Sequence, residues 1–136
     1  MAEAVILVGL PGAGKTTYFD RHFRATHAHV SRDVQKSARA EDALLAECIA
    51  QQRSFVVDDT NTTRASRAAF IANAKAAGYR VTAYFFDTPV RVAIGRNNHR
   101  EDKKPIPVPA ILRMAKQLEK PSIEEGFDEV RVVAVS

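Results

Sequence analysis

The chain has 136 residues, of which 46% are hydrophobic, and a formal net charge of +4. This length suits one compact domain over residues 1–136, and this apolar share is typical of a globular protein rather than a disordered one. No run approaches the eighteen or so apolar residues of a membrane span, and the single cysteine, Cys48, excludes an internal disulfide. We therefore expect a cytoplasmic protein with no signal peptide and no membrane partner.

Apolar runs alternate with helical stretches along the whole chain. The runs predict strands at residues 4–8, 29–31, 54–58, 80–86 and 130–135. Amphipathic stretches and their stop signals predict helices at residues 15–23, 41–52, 64–77, 89–96 and 109–119. Such alternation is typical of an α/β fold with about five mostly parallel strands and helices on both faces of the sheet.

The segment after the first strand predicts a phosphate-binding loop. Residues 9–16 read GLPGAGKT and fit G-x-x-x-x-G-K-S/T at every fixed position. Glycines let successive N–H groups turn toward phosphate oxygens, and the helix that follows adds its positive end. Lys15 can reach the β and γ phosphates, and the Thr16 hydroxyl can ligate Mg²⁺. We expect ATP or another nucleoside triphosphate with Mg²⁺, bound by Gly12, Ala13, Gly14, Lys15, Thr16 and Thr17.

Two acidic segments follow the next strands and are candidates for the acceptor side of a kinase. Asp33 lies in SRD after the second strand, where it could accept a hydroxyl proton or simply cap the next helix. Asp58 and Asp59 lie in DDTN after the third strand, next to the magnesium site or the acceptor pocket, or in a simple Asx turn. In open parallel sheets, ligands bind beyond the carboxyl ends of the strands, so both segments should face the phosphate loop.

Positive charge is concentrated in one part of the sequence. Between Arg91 and Arg113 there are six Lys and Arg residues against two acidic ones, which accounts for the whole net charge. Arg96 and Arg100, four apart in RNNHR, could close over the phosphates as a short lid. The alternatives are a solvated basic face and a surface for polyanions such as nucleic acid.

The ordered set of motifs resembles the kinase domain of the polynucleotide 5′-hydroxyl kinase family of bacteriophage and animal end-repair enzymes. The resemblance covers nearly the whole chain and rests on VGLPGAGKTT, SRD, DDTN, RNNHR and IPVPAI. The phosphate loop alone is common to very many proteins, whereas the ordered set is far more specific. The resemblance implies a P-loop kinase fold and transfer of the γ-phosphate of ATP to a hydroxyl of DNA or RNA.

The resemblance also implies a role for each matching residue. Lys15 and Thr16 match the phosphate lysine and the magnesium hydroxyl, Arg100 matches the lid arginine at the transferring phosphate, and Arg96 matches an arginine one turn earlier. On the acceptor side, Asp33 matches the general base, Arg32 the arginine before it, Asp59 the acceptor-site aspartate and Lys36 an arginine at the next phosphate.

Other acceptors and another class of function stay open. The end-repair enzymes join their kinase to a repair domain, whereas no D-x-D-x-T phosphatase motif occurs here. The chain is also similar to small phage kinases that phosphorylate hydroxymethylated pyrimidines, such as 5-hydroxymethyluracil, within DNA. A kinase of a nucleoside, sugar or antibiotic would share the phosphate loop and the base, and a regulatory nucleotide-binding subunit would share the loop alone.

Overall fold

Five strands form one sheet in the computed structural model, which describes residues 2–99 and 105–134. Their bounds are β1 (Glu3–Val8), β2 (Ala28–Val30), β3 (Phe55–Val57), β4 (Arg80–Asp87) and β5 (Glu129–Ala134). The strand order is β2-β3-β1-β4-β5, and every neighbouring pair is parallel. The α/β fold with a five-stranded parallel sheet is therefore confirmed.

Six α-helices connect the strands or flank them. Their bounds are α1 (Lys15–His22), α2 (Arg32–Gln35), α3 (Ala38–Ala50), α4 (Arg64–Ala76), α5 (Val90–Asn98) and α6 (Val108–Gln117), and a 3₁₀ turn covers Ile123–Glu125. None of the helices in the described ranges is long and apolar enough to cross a membrane. The sequence did not predict α2 or the 3₁₀ turn, because one turn of helix carries too few residues for a periodic pattern.

The predicted bounds of α3 were wrong at both ends. The helix begins at Ala38 because the Ser37 hydroxyl accepts a hydrogen bond from the Ala40 N–H at 3.1 Å, which caps the first turn. It ends at Ala50, and Gln52 takes a left-handed φ of 54°. The second strand likewise ends one residue early, because Ser31 is the N-cap of α2. Glu41 lies in the first turn of α3.

The core lies on both faces of the sheet. Alternate residues of β1 point to opposite faces, so Ile6 packs on the side of α3 and α4, while Leu7 packs on the side of α1. Cys48 of α3 is buried in the first of these clusters. Phe85 and Phe86 are also buried, one on each face. Helices on both faces leave the carboxyl edge of the sheet open for the loops that carry the site.

Candidate active site

The phosphate loop runs from the end of β1 to the start of α1 and packs against α5. Gly12 and Gly14 have φ values of 84° and 95°, which side chains rarely adopt. A Cβ atom at Gly12 would lie 2.4 Å from the carbonyl oxygen of Ala93 in α5, so only glycine fits. A Cβ atom at Gly14 would lie 3.4 Å from Nη1 of Arg96. The backbone of the loop therefore brings α5, and with it Arg96, beside the phosphate site.

Lys15 is held inside the loop rather than extended from it. It is the first residue of α1, it is 8% exposed, and its ammonium group donates to the carbonyl oxygens of Gly9 at 2.9 Å and Leu10 at 2.8 Å. Ala13 is fully buried, and its N–H donates to the Leu10 carbonyl, so the structure does not bring this predicted residue to the cleft surface. The loop thus carries a buried positive charge at its centre.

Asp58 links the start of α1 to the end of β3. Its Oδ2 atom accepts hydrogen bonds from the Thr16 hydroxyl and from Nε2 of His29, each at 2.8 Å. Burial works to raise the pKa of Asp58, but the hydrogen bonds from His29 and Thr16 and the charge of Lys15 outweigh it and hold that pKa below its ordinary value. Asp58 is therefore a carboxylate in the folded protein.

Thr16 and Asp58 fit a magnesium site. Mg²⁺ prefers oxygen ligands and is commonly held by one or two protein groups together with phosphate and water oxygens. A hydroxyl and a buried carboxylate 2.8 Å apart at the mouth of a phosphate loop supply that type of ligand. Within residues 2–99 and 105–134, no group of three or more His, Cys, Asp or Glu side chains is arranged to hold a metal by itself.

One cleft joins the phosphate loop to the predicted acceptor residues. It has a volume of about 990 Å³ and is lined by Lys15 and Thr16, by Asp58 and Asp59, and by Asp33 from α2. Arg96 lines it as well. The structure therefore brings together the nucleotide and acceptor residues that the sequence placed in separate motifs.

Asp33 does not cap a helix, which was the alternative that the sequence left open. The N-cap of α2 is Ser31 and the N-cap of α3 is Ser37, while Asp33 lies within the single turn of α2. Its side chain is exposed toward the cleft. This position leaves the carboxylate able to meet a bound molecule.

Two carboxyl groups lie next to Asp33, with Asp59 lining the cleft and Glu41 behind it. Asp59 accepts a hydrogen bond from the Arg32 N–H at 2.9 Å, and the Arg32 guanidinium donates to Oε1 of Glu41 at 3.2 Å. The Glu41 side chain is 3% exposed. Burial, followed by the hydrogen bond and repulsion from Asp59, raises the pKa of Glu41 to about 7, against the opposing effect of Arg32.

A buried ion pair fixes the loop that carries Asp59. Arg67 of α4 is fully buried, and its guanidinium donates to both carboxylate oxygens of Glu125 at 2.8 and 2.9 Å. The same guanidinium donates to the carbonyl oxygen of Asn61 at 2.8 Å, and the Asn61 amide donates to the Leu7 carbonyl of β1. Residues 59–61 are thereby tied both to α4 and to the central strand.

Besides Ala13, three of the predicted residues lie away from the cleft or outside the described residues. Arg32 and Lys36 are exposed and do not line the cleft, although both belong to the short turn that carries Asp33. Arg100, the predicted lid arginine, lies outside the described residues.

Sequence reasoning missed three residues that shape the site. His29 holds Asp58, and the available signal was its position two residues before the SRD motif. Glu41 and Arg67 have no distinguishing pattern in the sequence, and only their burial marks them.

Comparison with known proteins agrees with the motifs and the fold. The AAA_33 family model, described as an AAA domain, matches residues 31–121. The chain belongs to this family. It is 27% identical over 135 residues to the bifunctional polynucleotide phosphatase/kinase of Schizosaccharomyces pombe, which confirms the resemblance to polynucleotide kinases. That match covers 96% of this chain and 33% of the relative, so the chain spans about a third of the length of the curated relatives it matches.

Solved structures of P-loop kinase type share the fold. Chaetomium thermophilum Kti12, in complex with ADP-AlF3, superposes with a TM-score of 0.73 at 18% identity, over 96% of this chain and 88% of that one. A gluconokinase from Sinorhizobium meliloti superposes with a TM-score of 0.67 at 16% identity, over 98% and 83% of the two chains. At these identities the similarity establishes the P-loop kinase fold.

Proposed function

We propose that this protein is an ATP-dependent kinase that transfers the γ-phosphoryl group to the 5′-hydroxyl end of DNA or RNA. The observation that carries the proposal is the common cleft, in which the phosphate loop and two acceptor-side carboxylates, Asp33 and Asp59, line the same space. The names of the curated relatives support a polynucleotide as the acceptor. The ADP-AlF3 bound to Kti12 supports a nucleotide in the same fold.

The nucleotide end of the cleft binds and orients the phosphates. Backbone N–H groups of the phosphate loop and the amino end of α1 face the phosphate oxygens. On nucleotide binding, the Lys15 ammonium exchanges its bonds to the Gly9 and Leu10 carbonyls for bonds to the β and γ phosphates. Thr16 and Asp58 would hold Mg²⁺, which supplies charge neutralisation between the β and γ phosphates when bound.

The acceptor end of the cleft supplies the base. The acceptor hydroxyl oxygen forms a bond to the γ-phosphorus as the bond from that phosphorus to ADP breaks, and the hydroxyl proton passes to the Asp33 carboxylate. Asp59 lines the same end of the cleft as Asp33 and helps to define the space that the acceptor end occupies. Arg96, beside Gly14, and Arg100 meet the negative charge of the transferring group. Arg32 and Lys36 are exposed on the turn that carries Asp33, and in this proposal they contact the acceptor strand outside the cleft.

An acceptor panel tests the proposal directly. With radiolabelled ATP, we expect phosphate transfer to 5′-hydroxyl DNA or RNA at a kcat/KM well above that for free nucleosides or gluconate. DNA that contains 5-hydroxymethyluracil but has a 5′-phosphate end should not be labelled. Labelling of that DNA would replace the end-specific acceptor with a modified base, and preference for a small molecule would overturn the nucleic acid acceptor altogether.

The variant Asp33→Asn tests the base. It keeps the shape of the side chain and removes its ability to take a proton, so we expect kcat to fall by about 10²–10⁴-fold while ATP affinity stays within about twofold. Asp42→Asn is the matched control, because Asp42 is an exposed aspartate on α3 that does not line the cleft. A normal kcat in Asp33→Asn would remove Asp33 from the mechanism.

A further inference from the structure

Only one of the two carboxyl oxygen atoms of Glu41 has a hydrogen-bond donor in the described part of the chain. This is unexpected if the side chain is an ionised carboxylate, because both oxygen atoms would then need donors. Its Oε1 atom accepts from the Arg32 guanidinium, at 3.4 Å from Nε and 3.2 Å from Nη2. Its Oε2 atom is buried and meets no donor within the described part of the chain. A buried acceptor without a donor is costly, so a native protein rarely keeps one.

The neighbour of Glu41 is another carboxyl group, that of Asp59. Two carboxylates in contact repel each other, but one proton between them turns the repulsion into a hydrogen bond. Asp59 already accepts from the Arg32 N–H and is the less buried of the two, which favours the charge on Asp59 and the proton on Glu41. The raised pKa of Glu41, near 7, agrees with that distribution. The charged groups that face Glu41 from other described elements are Arg32 and Asp59.

We propose that Glu41 is a positioning residue of the acceptor site, whose protonated Oε2 donates a hydrogen bond to Asp59 while Oε1 holds the Arg32 guanidinium. The assignment of Asp59 to the acceptor rests on the proposed function. Glu41 does not line the cleft and touches no substrate. It acts by fixing the orientation of the Asp59 carboxylate from behind and by keeping α2, which carries Asp33, against the start of α3.

This arrangement has a consequence for substrate binding. With Glu41 neutral, Asp59 is a carboxylate held in one fixed orientation at the place where the incoming strand binds. When Glu41 loses its proton, the two carboxylates separate and Arg32 is drawn toward the new charge. The acceptor site is therefore disturbed, whereas the phosphate loop, which Glu41 does not contact, is not.

Two substitutions of Glu41 test whether the site needs a hydrogen-bond donor at this position or a negative charge. Glu41→Gln keeps an oxygen for Arg32 and an N–H donor for Asp59, and Glu41→Ala removes both. We expect Glu41→Gln to keep the acceptor KM within about threefold of the wild type, and Glu41→Ala to raise it by about tenfold or more, the scale of one lost buried hydrogen bond. In both variants the ATP KM should stay within about twofold.

The matched controls are Glu47→Gln and Glu47→Ala, because Glu47 is an exposed glutamate on the same helix. Neither should change the acceptor KM. Equal losses in Glu41→Gln and Glu41→Ala would show that a charged carboxylate is needed, which would overturn the proposal. An equal rise in the KM for ATP and for the acceptor would overturn it as well, since the effect would then be a general loss of structure.

A second measurement does not depend on the acceptor or on activity. The pKa of Glu41 is raised from 4.5 to about 7 in the folded protein, so the folded chain holds this proton more tightly than the unfolded chain. The resulting contribution to the free energy of unfolding is fully present below pH 4.5 and is lost as the pH rises through 7. The urea midpoint of the wild type should therefore fall between pH 5 and pH 8 by more than the midpoint of Glu41→Gln. Parallel pH profiles would mean that Glu41 is ionised throughout. If no polynucleotide is phosphorylated, the proposed function fails, and this profile still decides whether Glu41 carries the proton.

Discussion

The phosphate loop draws its groups from one contiguous segment, residues 9–17, whereas the proposed acceptor end draws its groups from α2 and the loop after β3, with α3 packed behind them. The first relies on backbone N–H groups and a helix end, whose positions follow from the local chain path. The second relies on side chains that are held by a buried carboxyl group, Glu41, and by the buried Arg67–Glu125 ion pair. The nucleotide end should therefore tolerate changes elsewhere in the fold, and the acceptor end should not.

The largest effect is expected at the nucleotide end itself. Lys15→Ala should lower kcat by about 10³-fold or more, because the ammonium group meets charge on the transferring phosphoryl group. The variant also leaves the Gly9 and Leu10 carbonyls without this donor, at a cost of about 1–2 kcal/mol in unfolding free energy. Steady-state kinetics at saturating ATP and urea unfolding measure the two effects.

The control for Lys15→Ala is Lys116→Ala, a change at an exposed lysine of α6. It should leave kcat and stability unchanged. If Lys15→Ala keeps activity within about tenfold of the wild type, a loss below about 1.4 kcal/mol, the loop is not the catalytic phosphate site.

The next effect is on stability and sharpens the difference between the two ends. Arg67→Met should lower the unfolding free energy by about 3–5 kcal/mol, because it leaves the buried Glu125 carboxylate without its partner. In conditions where the variant remains folded, the acceptor KM should rise, since Asn61 and the Asp59 loop lose their tie to α4. ATP affinity should change little.

Arg64→Met is the matched change for Arg67→Met, because Arg64 is an exposed arginine on the same helix. Its stability should stay within about 0.5 kcal/mol of the wild type. Loss of ATP binding by folded Arg67→Met, in parallel with loss of acceptor binding, would contradict the independence of the two ends.

The smallest effect concerns salt. If the acceptor is a nucleic acid held by two or three phosphate contacts, its KM should rise by about tenfold between 50 and 200 mM salt, because bound phosphates release condensed counterions. Charge reversal at Lys103 and Lys104, which lie outside the described residues, should flatten this dependence more than it changes ATP affinity. Arg53→Glu changes an exposed residue just before β3, at the amino ends of the strands, whereas the cleft lies at their carboxyl ends. It should leave the salt dependence of the acceptor KM unchanged. A flat salt response of the wild type would favour a small uncharged acceptor.

Much of the fold and the nucleotide end could be predicted from the sequence because their signals are local. Apolar runs predicted all five strands, and the glycine pattern predicted the phosphate loop, including Gly12. The contact of Gly12 with Ala93, which leaves no room for a side chain, is visible only in the structure. The single turn of α2 escaped prediction because it is shorter than any periodic signal. The start of α3 depended on a cap at Ser37, which competes with other polar residues nearby.

The sequence by itself determined the chain path through alternating strands and helices, the phosphate loop and the order of the motifs, because each depends on residues adjacent in the chain. The tertiary structure alone decided which charges are buried. His29 meets Asp58 across 29 positions of sequence and Arg67 meets Glu125 across 58. Whether Glu41 is a solvated surface acid or a buried carboxyl against Asp59 depends on the packing of α3 against the loop after β3. Burial sets the cost of each charge, and only the folded chain fixes burial.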